Sequence, residues 1–345
     1  MLDFNPDIRV MRRVAEIGQE QWDFLSQKMP FTSYHWYRFG ETVLADDAPT
    51  YVTLDWDGEP VARATFWLTR KEPLPIKSSP LRSLARHAFY RAPLFFCRSP
   101  LAKAAGLILP ADKTLRRAAF EQLTQFGLQM ARQSRASFVI FDYLEPALTA
   151  PAAFDTYQFS EAETVLQFDG EDFEGYLSRL DKSARKDYHR HGNRARDLGI
   201  VIETAAEVSR IDEAVRLIDA VNCKYNSAPH PYTRQILANA GLAQPIWITA
   251  RMDERLVGCG LVLGDGDVYT LALLGLDYSV NYVYFQLLYE AIRSVLAAGG
   301  RVLYGGTGAY EIKQRLGFQA NHNNQIVFAA SNPVLRYVVH QLAAN

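Results

Sequence analysis

The sequence contains few cysteines and no long apolar run. Its three cysteines, Cys97, Cys223 and Cys259, are widely spaced in a chain of 345 residues and have no histidine cluster beside them. This number and spacing exclude a disulfide framework and a zinc knuckle, so we expect the cysteines to fill buried positions. No apolar segment is long enough to span a bilayer, and the first residues, MLDFNPDIRV, lack the apolar core of a secretion signal. We therefore expect a cytoplasmic protein.

An excess of charge of either sign is also absent. Lysine and arginine number 37 and aspartate and glutamate number 38, which gives a formal net charge of -1. This balance provides no overall field to attract nucleic acid, so any polyanion site must be a local patch. A hydrophobic share of 48% in 345 residues is enough for two apolar cores, and we expect two domains.

The signatures of several enzyme classes are missing as well. The sequence has no Gly-x-Ser-x-Gly motif, no His-Glu-x-x-His motif and no glycine-rich motif ending in Gly-Lys-Ser/Thr. The run Gly305–Gly308 is not followed by the spacing or the acidic residue of a dinucleotide-binding fingerprint. The sequence therefore gives no support to metal or hydride chemistry, and we expect neither a metal nor a redox cofactor.

The clearest pattern lies between Val268 and Phe318, where two strand–loop–helix units follow each other. Val268–Leu276 is an apolar run with β-branched and aromatic members, which predicts a strand that ends in turn-forming residues. A helix is then expected to begin near Ser279 or Asn281, because apolar residues recur three and four apart up to the two glycines that end it.

The second of these units is shorter. Arg301–Tyr304 predicts a strand, Thr307 is the expected N-cap of a last helix, and Gly317 is expected to end that helix. Where a strand leads directly into a helix, the first helical N–H groups are unpaired and can bind a phosphate or a carboxylate. Because the two strands are expected side by side, the turns at Tyr278 and Thr307 should lie together and form an anion site.

The ending Lys313–Phe318, KQRLGF, resembles the close of the GNAT acyltransferase fold, a short helix followed by Leu-Gly-Phe. That family binds the pyrophosphate of acyl-CoA at the helix after its fourth strand, which the resemblance assigns to the helix opening at Ser279–Tyr284. Two features differ from the family pattern. Asp277–Val283 contains no glycine, whereas the family has a glycine-containing loop there. Lys313 occupies the place of a tyrosine that many members use as an acid, which resembles the tandem-domain branch of Fem-type aminoacyl transferases and BioF2-like acyltransferases.

The order of elements in the second half repeats the order in the first. A hairpin turned at Asp57–Glu59 precedes the predicted helix Thr114–Ala131 and the strand Phe138–Phe141. A hairpin turned at Asp253–Arg255 likewise precedes a helix and a strand. This layout and the resemblance imply an α/β (α+β) protein with two tandem GNAT-like domains, each a central mixed sheet flanked by helices.

The predicted boundary between the domains falls near Leu148–Tyr157, where the run Thr149–Ala153 interrupts the periodicity. We therefore expect an N-terminal GNAT-like domain over residues 1–150 and a C-terminal one over residues 151–345. Residues 333–342 are expected to form a terminal helix that closes the second core.

A basic segment begins the second half. On a helix, Lys182, Lys186, Arg190 and Arg194 form a row at four-residue spacing. The row predicts either a surface that holds phosphates or a solvated helix face, and we assign Lys182, Arg185, Lys186 and Arg190 to substrate binding. A second basic amphipathic segment, 77–91, predicts either packing on its own domain or peripheral contact with an anionic membrane surface.

The predicted helix Ile211–Tyr225 ends in polar residues before a loop that contains prolines. Because side chains at the end of an element are well placed for ligands, Tyr225, His230 and Tyr232 are candidates for substrate binding. The alternative for His230 is an ordinary loop residue between two prolines.

Acyl transfer to an amine requires a donor held in line with the nucleophile, N–H groups for the carbonyl oxygen and a route for one proton. The resemblance therefore implies an N-acyltransferase with acyl-CoA as co-substrate and a small amine acceptor. Lys313, Tyr310 and Tyr278 are the candidate catalytic residues, and the alternative for Lys313 is a merely exposed lysine. The expected donor-binding residues come from the two strand ends: Asp277, Ser279, Asn281, Tyr282, Val283, Tyr284 and Thr307.

Two other functions remain open. A Fem-type enzyme would transfer an aminoacyl group from tRNA to a cell-envelope precursor, and it would need a larger basic surface. The balanced charge and the absence of the long coiled-coil arm common in such relatives favour acyl-CoA. Alternatively, the loss of the glycine-containing loop leaves a non-catalytic module that binds an envelope precursor.

Overall fold

The computed structural model of the chain describes residues 4–26, 29–72, 87, 90–158, 162–227, 229–322 and 325–332. The chain divides into two compact units, Met1–Ser160 with His322–Asn345, and Glu161–Asn321. This division differs from the predicted one, because the residues after 321 return to the first unit.

The elements are numbered along the chain, and two 3₁₀ turns, Val14–Glu16 and Ala240–Leu242, are left unnumbered. Before residue 160 they are β1 (Asp7–Met11), α1 (Gln19–Ser26), α2 (Tyr34–Val43), β2 (Ala48–Trp56), β3 (Glu59–Thr69), β4 (Leu94–Cys97), β5 (Leu107–Ile108), α3 (Lys113–Gln133), β6 (Phe138–Leu144) and β7 (Asp155–Gln158). After it they are β8 (Glu163–Gln167), α4 (Phe173–Arg179), α5 (Lys182–Asp197), β9 (Ile200–Ala205), α6 (Ile211–Lys224), α7 (Thr233–Asn239), β10 (Ile246–Met252), β11 (Arg255–Asp265), β12 (Val268–Leu276), α8 (Val283–Ala297), β13 (Val302–Gly306), α9 (Tyr310–Arg315), β14 (Gln319–Asn321) and β15 (Gln325–Ala330).

The two units contain sheets with the same arrangement. The first sheet has the strand order β1-β2-β3-β4-β6-β15-β7, with β5 paired to β3, and the second has the order β9-β10-β11-β12-β13-β8-β14. In each sheet the fourth and fifth strands pair in parallel and the remaining neighbours pair antiparallel. The predicted tandem of mixed sheets flanked by helices is therefore confirmed.

The hairpins form where the sequence predicts them. Asp57 and Gly58 join β2 to β3 with φ angles of 53° and 83°, the left-handed pair that matches the twist of a tight hairpin. Consecutive residues are buried in both strands, Thr50–Leu54 in β2 and Ala62–Trp67 in β3, so both faces of the sheet are covered here. The predicted helix over 114–131 is α3, and the predicted strand over 138–141 is the first part of β6.

Helix α8 packs on the second sheet and fixes the geometry of the region described below. Its inner face consists of fully buried apolar side chains, and its first residue, Val283, is 1% exposed. A Cβ on Gly258 of β11 would lie 2.3 Å from Cγ1 of Val283, so only glycine lets the helix begin this close to the sheet. The burial of this face stabilises both the helix and its starting point.

Several expectations differ from the structure or lie outside its described part. Strand β15 pairs with β6 and β7, so residues 325–330 complete the first sheet and not the second core. The predicted helix at 333–342 and most of segment 77–91 lie outside the described residues. Cys97 and Cys259 are buried as expected, whereas Cys223 is exposed on α6. None of the helices in the described part of the chain has the length and apolar character needed to cross a bilayer.

Candidate functional site

The parallel strands β12 and β13 separate after a short paired stretch. They pair only from Val268 to Thr270 of β12, opposite Val302–Tyr304 of β13. Beyond this point β12 continues along β11, while β13 pairs with β8, where Gly306 lies opposite Thr164. Within the residues that the structure describes, the second half of β12 has no strand partner on its β13 side. In the first sheet, by contrast, β4 is paired with β6 along its entire length.

The open half of β12 is apolar and irregular. Leu261 pairs with Leu273 and Val262 pairs with Leu271, so Ala272 is the extra residue of a β-bulge. The side chains from Leu271 to Leu274 are only partly buried although they lie in the middle of the unit. This part of the strand therefore offers an apolar edge to a ligand that enters between the strands.

Helix α8 begins at the end of this opening. Its N-cap is Tyr282, which has a left-handed φ of 69° and makes no capping hydrogen bond with its side chain. The helix starts at Val283, later than the predicted Ser279 or Asn281. The N–H groups of its first turn carry the partial positive charge that favours a phosphate or a carboxylate.

Asp277 and Ser279 shape the loop between β12 and α8. The Asp277 Oδ1 atom accepts hydrogen bonds from the Ser279 backbone nitrogen at 2.9 Å and from its hydroxyl at 2.6 Å. Arg255 donates to Oδ2 of the same carboxylate at 2.7 Å. The Ser279 hydroxyl, its N–H group and Arg255 hold the pKa of Asp277 below its usual value, against the effect of burial. Asp277 is thus engaged by protein groups and its charge is balanced.

The second strand end lies at the same edge, because β12 and β13 run in parallel. The predicted N-cap of the last helix, Thr307, is wrong: α9 is capped by Ala309, which has a left-handed φ of 49°. Thr307 lies in the exposed turn between β13 and α9.

Lys313 is buried, so its interpretation as an exposed lysine is wrong. Its side chain is on α9 and the residue is 3% exposed. The Nζ atom donates to the backbone oxygen of Gly306 at 3.0 Å, and it lies 3.5 Å from the backbone oxygen of Thr307. Lys313 therefore ties the last helix to the end of β13. Tyr310, on the same helix, donates its hydroxyl to the backbone oxygen of Ala162 at 2.8 Å.

Three tyrosines meet where β12 ends. Burial, together with a hydrogen bond and repulsion from Tyr225, raises the pKa of Tyr278 to about 12. Burial, with a smaller effect of Tyr225, also raises the pKa of Tyr284 to about 12. The Nζ atom of Lys224 lies 3.5 Å from the centre of the Tyr278 ring. The Tyr284 hydroxyl is buried and has no hydrogen-bond partner among the described residues. Tyr278 and Tyr284 are therefore protonated at neutral pH.

The predicted basic helix is α5, which runs without a break through Gly192. Lys182 and Lys186 are exposed, whereas Arg185 donates to the backbone oxygens of Ser178 and Leu180. Arg190 forms an ion pair of 2.6 Å with Asp187. In the described part of the chain, no hydrogen bond, ion pair or ring contact joins Lys182, Lys186 or Arg190 to the three tyrosines. The sequence-predicted substrate residues thus form two separate groups.

His230 and Tyr232 lie in the loop before α7 and differ from Tyr225 in their surroundings. Tyr225 is 66% exposed at the end of α6, whereas Tyr232 is 5% exposed. The Nδ1 atom of His230 accepts a hydrogen bond from the backbone nitrogen of Tyr232 at 3.3 Å. His230 therefore shapes this loop, and Tyr225 is the member of the group that lies beside Tyr278.

Sequence reasoning missed His191, Gln286 and Lys224. His191 is 7% exposed, and its ring lies 4.0 Å from that of Phe285 in the first turn of α8. Helical spacing with Ala184 and Ala195 was the available signal, because it places His191 on the inner face of α5. The described residues contain no group of three or more His, Cys, Asp or Glu side chains that could hold a metal ion.

Comparisons with known proteins agree with this geometry. Residues 182–314 match the family model of the acetyltransferase (GNAT) domain. FemX has a similar structure, with a TM-score of 0.63 and 9% identity, over 96% of this chain and 99% of that one. A tandem GNAT protein from the clavulanic acid biosynthesis pathway, determined without AcCoA, has a TM-score of 0.59 and 14% identity, over 95% of this chain and 99% of its own.

L-PGS from Bacillus licheniformis is also similar, with a TM-score of 0.52 and 12% identity, over 94% of this chain and 96% of that one. No curated protein matches the sequence. The chain therefore has the tandem GNAT fold that the sequence predicted, and residues 182–314 of its second unit are similar to the acetyltransferase (GNAT) domain.

Proposed function

We propose that this protein is an N-acyltransferase that transfers an acyl group from acyl-CoA to an amine acceptor, and that the reaction takes place in the second unit. One observation carries the proposal: β12 and β13 separate after Thr270, and the opening leads to the amino end of α8. A thioester on an extended carrier needs such an arrangement, an unpaired strand edge for the carrier and a helix terminus for its phosphates.

The donor is held by the residues of the two strand ends. The carrier lies along Leu271–Leu276, whose backbone groups on the side away from β11 can pair with its amides. Its pyrophosphate meets the N–H groups of Val283 and Tyr284, and the loop residues Ser279, Asn281 and Tyr282 surround it, with Asp277 fixing their conformation. Thr307 belongs to the opposite wall of the opening.

The chemical step needs one nucleophile and one acid. The neutral amine attacks the thioester carbonyl, so that a C–N bond forms and the C–S bond breaks. The leaving thiolate takes a proton from the Tyr278 hydroxyl, which is protonated at neutral pH because its pKa is about 12. The proton released from the nitrogen returns to the tyrosinate through solvent, which restores Tyr278. Lys313 keeps the end of β13 in place through its bonds to Gly306 and Thr307.

The acceptor is expected beside Tyr278 and Tyr225, at the mouth of the opening. Tyr225 is 66% exposed, so much of its side chain can contact a substrate, whereas Tyr310 donates its hydroxyl to Ala162. We assign Tyr225 to acceptor binding, with His230 shaping the loop that follows it. A cell-envelope amine is one acceptor class that the resemblance to Fem-type transferases implies.

A specific observation also favours a second candidate, a Fem-type transfer from aminoacyl-tRNA to a peptidoglycan precursor. The exposed residues Lys182 and Lys186 on α5 make a local basic surface in a chain with a formal net charge of -1. Binding of tRNA through such a surface would weaken steeply as salt rises.

A thermal-shift panel distinguishes these functions, because a ligand that binds only the folded state raises the melting temperature. The panel contains acetyl-CoA, longer acyl-CoAs, a UDP-linked muropeptide and tRNA, with ATP as the control for unspecific anion binding. We expect a shift with CoA compounds, followed by release of the free thiol when amines are added. A shift with tRNA or muropeptide alone would contradict the proposal and support the second candidate. Binding of the muropeptide without turnover would support a non-catalytic module.

A further inference from the structure

The second unit has a surface cavity that is distinct from the opening between β12 and β13. Its volume is about 330 Å³, and its lining comes from α4 and α5 alone: Glu174, Leu177, Ser178, Arg185, Tyr188 and His189. No residue of β12, β13 or α8 belongs to this lining, so the cavity shares no wall with the opening. Pockets that hold small molecules have volumes of about 300–1,000 Å³, which makes this cavity large enough for a small ligand.

The apolar wall of the cavity is fixed by its packing. Tyr188 places its ring 5.7 Å from that of Phe173 and 4.9 Å from that of Tyr289. Its hydroxyl accepts a hydrogen bond of 2.7 Å from Arg293. Leu177, the second apolar member of the lining, is 5% exposed and belongs to the core of the unit. A ligand would therefore meet a wall that is already ordered, which lowers the entropic cost of binding.

Arg185 is bound to the protein through only one of its nitrogens. Its Nη1 atom donates to the backbone oxygen of Ser178 at 3.0 Å and to that of Leu180. Among the described residues, no group accepts a hydrogen bond from its Nε or Nη2 atom. These two atoms form the edge of a guanidinium that binds a carboxylate through two parallel hydrogen bonds. The same edge of Arg210 binds Glu213 in this way, with both distances at 2.7 Å.

Glu174 brings the opposite charge to the same cavity. No ion pair joins its carboxylate to Arg185 or to another residue in the described part of the chain. The cavity thus combines one unpaired carboxylate with one unused guanidinium edge, and these two charges cancel. Such a lining is complementary to a ligand that carries both an ammonium and a carboxylate, rather than to a simple anion or cation. His189 adds an imidazole that can donate or accept a further hydrogen bond.

We propose that this cavity binds a small zwitterion of the α-amino acid type. Its carboxylate binds the Nε and Nη2 edge of Arg185, its ammonium pairs with Glu174, and its hydrocarbon chain packs against Leu177 and Tyr188. This site is additional to the acyl donor and acceptor sites at the opening, and its existence does not depend on acyl transfer.

An NMR titration of the full chain with L-norvaline tests the inference, because this amino acid has a short unbranched hydrocarbon chain. Pentanoate lacks the ammonium of norvaline, and L-norvalinamide lacks its carboxylate. We expect norvaline to bind with a dissociation constant of about 1 mM or below. Each analogue should bind about tenfold more weakly or worse, since it loses a charge-assisted hydrogen bond.

Two variants locate the binding site. Glu174→Gln removes the charge that pairs with the ammonium, and Arg185→Lys keeps a positive charge but removes the two-donor edge. We expect each variant to weaken norvaline binding by about tenfold. The matched controls are Glu121→Gln on α3 and Arg194→Lys on α5, both at exposed positions outside the cavity. Their affinity for norvaline should change by less than about twofold.

Several results would overturn the inference. The first is an absence of norvaline binding at about ten times the expected dissociation constant. The second is equal affinity for norvaline and pentanoate, which would mean that no carboxylate of the protein holds the ammonium. Unchanged affinity in either folded test variant, or equal weakening in the controls, would place the binding elsewhere. Thermal unfolding shows whether each variant is folded, and Glu174→Gln, at an exposed position, decides the matter if Arg185→Lys is not.

Discussion

The ammonium group of Lys313 lies 3.0 Å from the backbone oxygen of Gly306, so a residue of α9 is bonded to the end of β13. The same group lies 3.5 Å from the backbone oxygen of Thr307. Since β13 forms one wall of the opening beside β12, we expect the width of this opening to change when Lys313 is replaced. Its position thus links the stability of the second unit to donor binding.

Replacement of Lys313 by methionine should therefore affect both properties. We expect the free energy of unfolding to fall by about 1–3 kcal/mol, because the two carbonyl oxygens lose a charged donor. The KM for the acyl donor should rise as the strand end moves. Chemical denaturation and donor titration measure the two effects. Lys113→Met, at an exposed position where α3 begins, is the control and should change stability by less than about 0.5 kcal/mol. Loss of turnover with unchanged stability would instead assign Lys313 directly to the chemistry.

The buried hydroxyl of Tyr284 gives a second prediction. Because this group has no partner among the described residues, Tyr284→Phe should leave the melting temperature unchanged or raise it. Turnover should fall about 10-fold to 100-fold if the hydroxyl contacts the reacting atoms. Tyr176→Phe is the matched comparison, since its hydroxyl donates to the backbone oxygen of Leu316 at 3.0 Å and its removal should destabilise the fold. Equal destabilisation in both variants would argue against a free hydroxyl in Tyr284.

The close approach of α8 to β11 depends on Gly258. In Gly258→Ala, the new methyl group would lie 2.3 Å from Val283, so the first turn of α8 must shift. We expect a loss of stability of about 1–3 kcal/mol and weaker donor binding. Gly241→Ala is the control, because a Cβ there meets nothing within 4 Å. Unchanged donor affinity in Gly258→Ala would show that the start of α8 is not part of the site.

Replacement of Gly192 by alanine should increase stability, unlike the replacement of Gly258. It lies inside α5, and a Cβ added at this position would meet no neighbouring atom within 4 Å. Since glycine is less favourable than alanine in a helix by roughly 0.8–1 kcal/mol, Gly192→Ala should raise the free energy of unfolding by a similar amount. Circular dichroism during denaturation measures the change. A loss of stability would mean that α5 bends at this residue in solution.

Asp142 in the first unit makes stability depend on pH. Burial raises the pKa of Asp142 to about 6, against the opposing effect of Arg98. The folded state then binds a proton more tightly than the unfolded state, so this group lowers stability as pH rises from about 4 to about 6. We expect Asp142→Asn to be more stable than the wild type at pH 7.5, by roughly 1–3 kcal/mol, with the difference vanishing near pH 4.

The control for this prediction is Asp46→Asn, which changes an exposed carboxylate paired with Lys71. Its difference from the wild type should be small and should not follow the same pH window. A difference for Asp142→Asn that grows on acidification would contradict the assigned direction.

Individual helices and hairpins could be predicted from the sequence because their patterns depend only on neighbouring residues. The period of apolar residues identified α3, α6 and α8, and Asp57 with Gly58 identified the first hairpin. The helix starts at Tyr282 and Ala309 could not be found in this way, since a residue other than glycine rarely adopts a positive φ. The sequence predicted a candidate site at the two strand ends, but it did not predict how deeply the residues there are buried.

The sequence also could not predict which distant segments pair or pack with each other. Alternation of apolar residues predicts that 325–330 can form a strand, but it does not determine which sheet accepts the strand. Likewise, the position of His191 against Phe285 depends on the packing of α5 on α8, which the helical spacing alone does not specify.

The origin of β15 has a consequence for how the molecule is made. This strand lies between β6 and β7, yet it follows β14 along the chain. Until β15 has been synthesised, the first sheet therefore lacks the strand that pairs with both β6 and β7. Strands β8 to β14 are contiguous and can close their sheet before β15 has been synthesised. The first sheet can therefore be completed only after the second, whereas domains usually fold in the order of their synthesis, the amino-terminal one first.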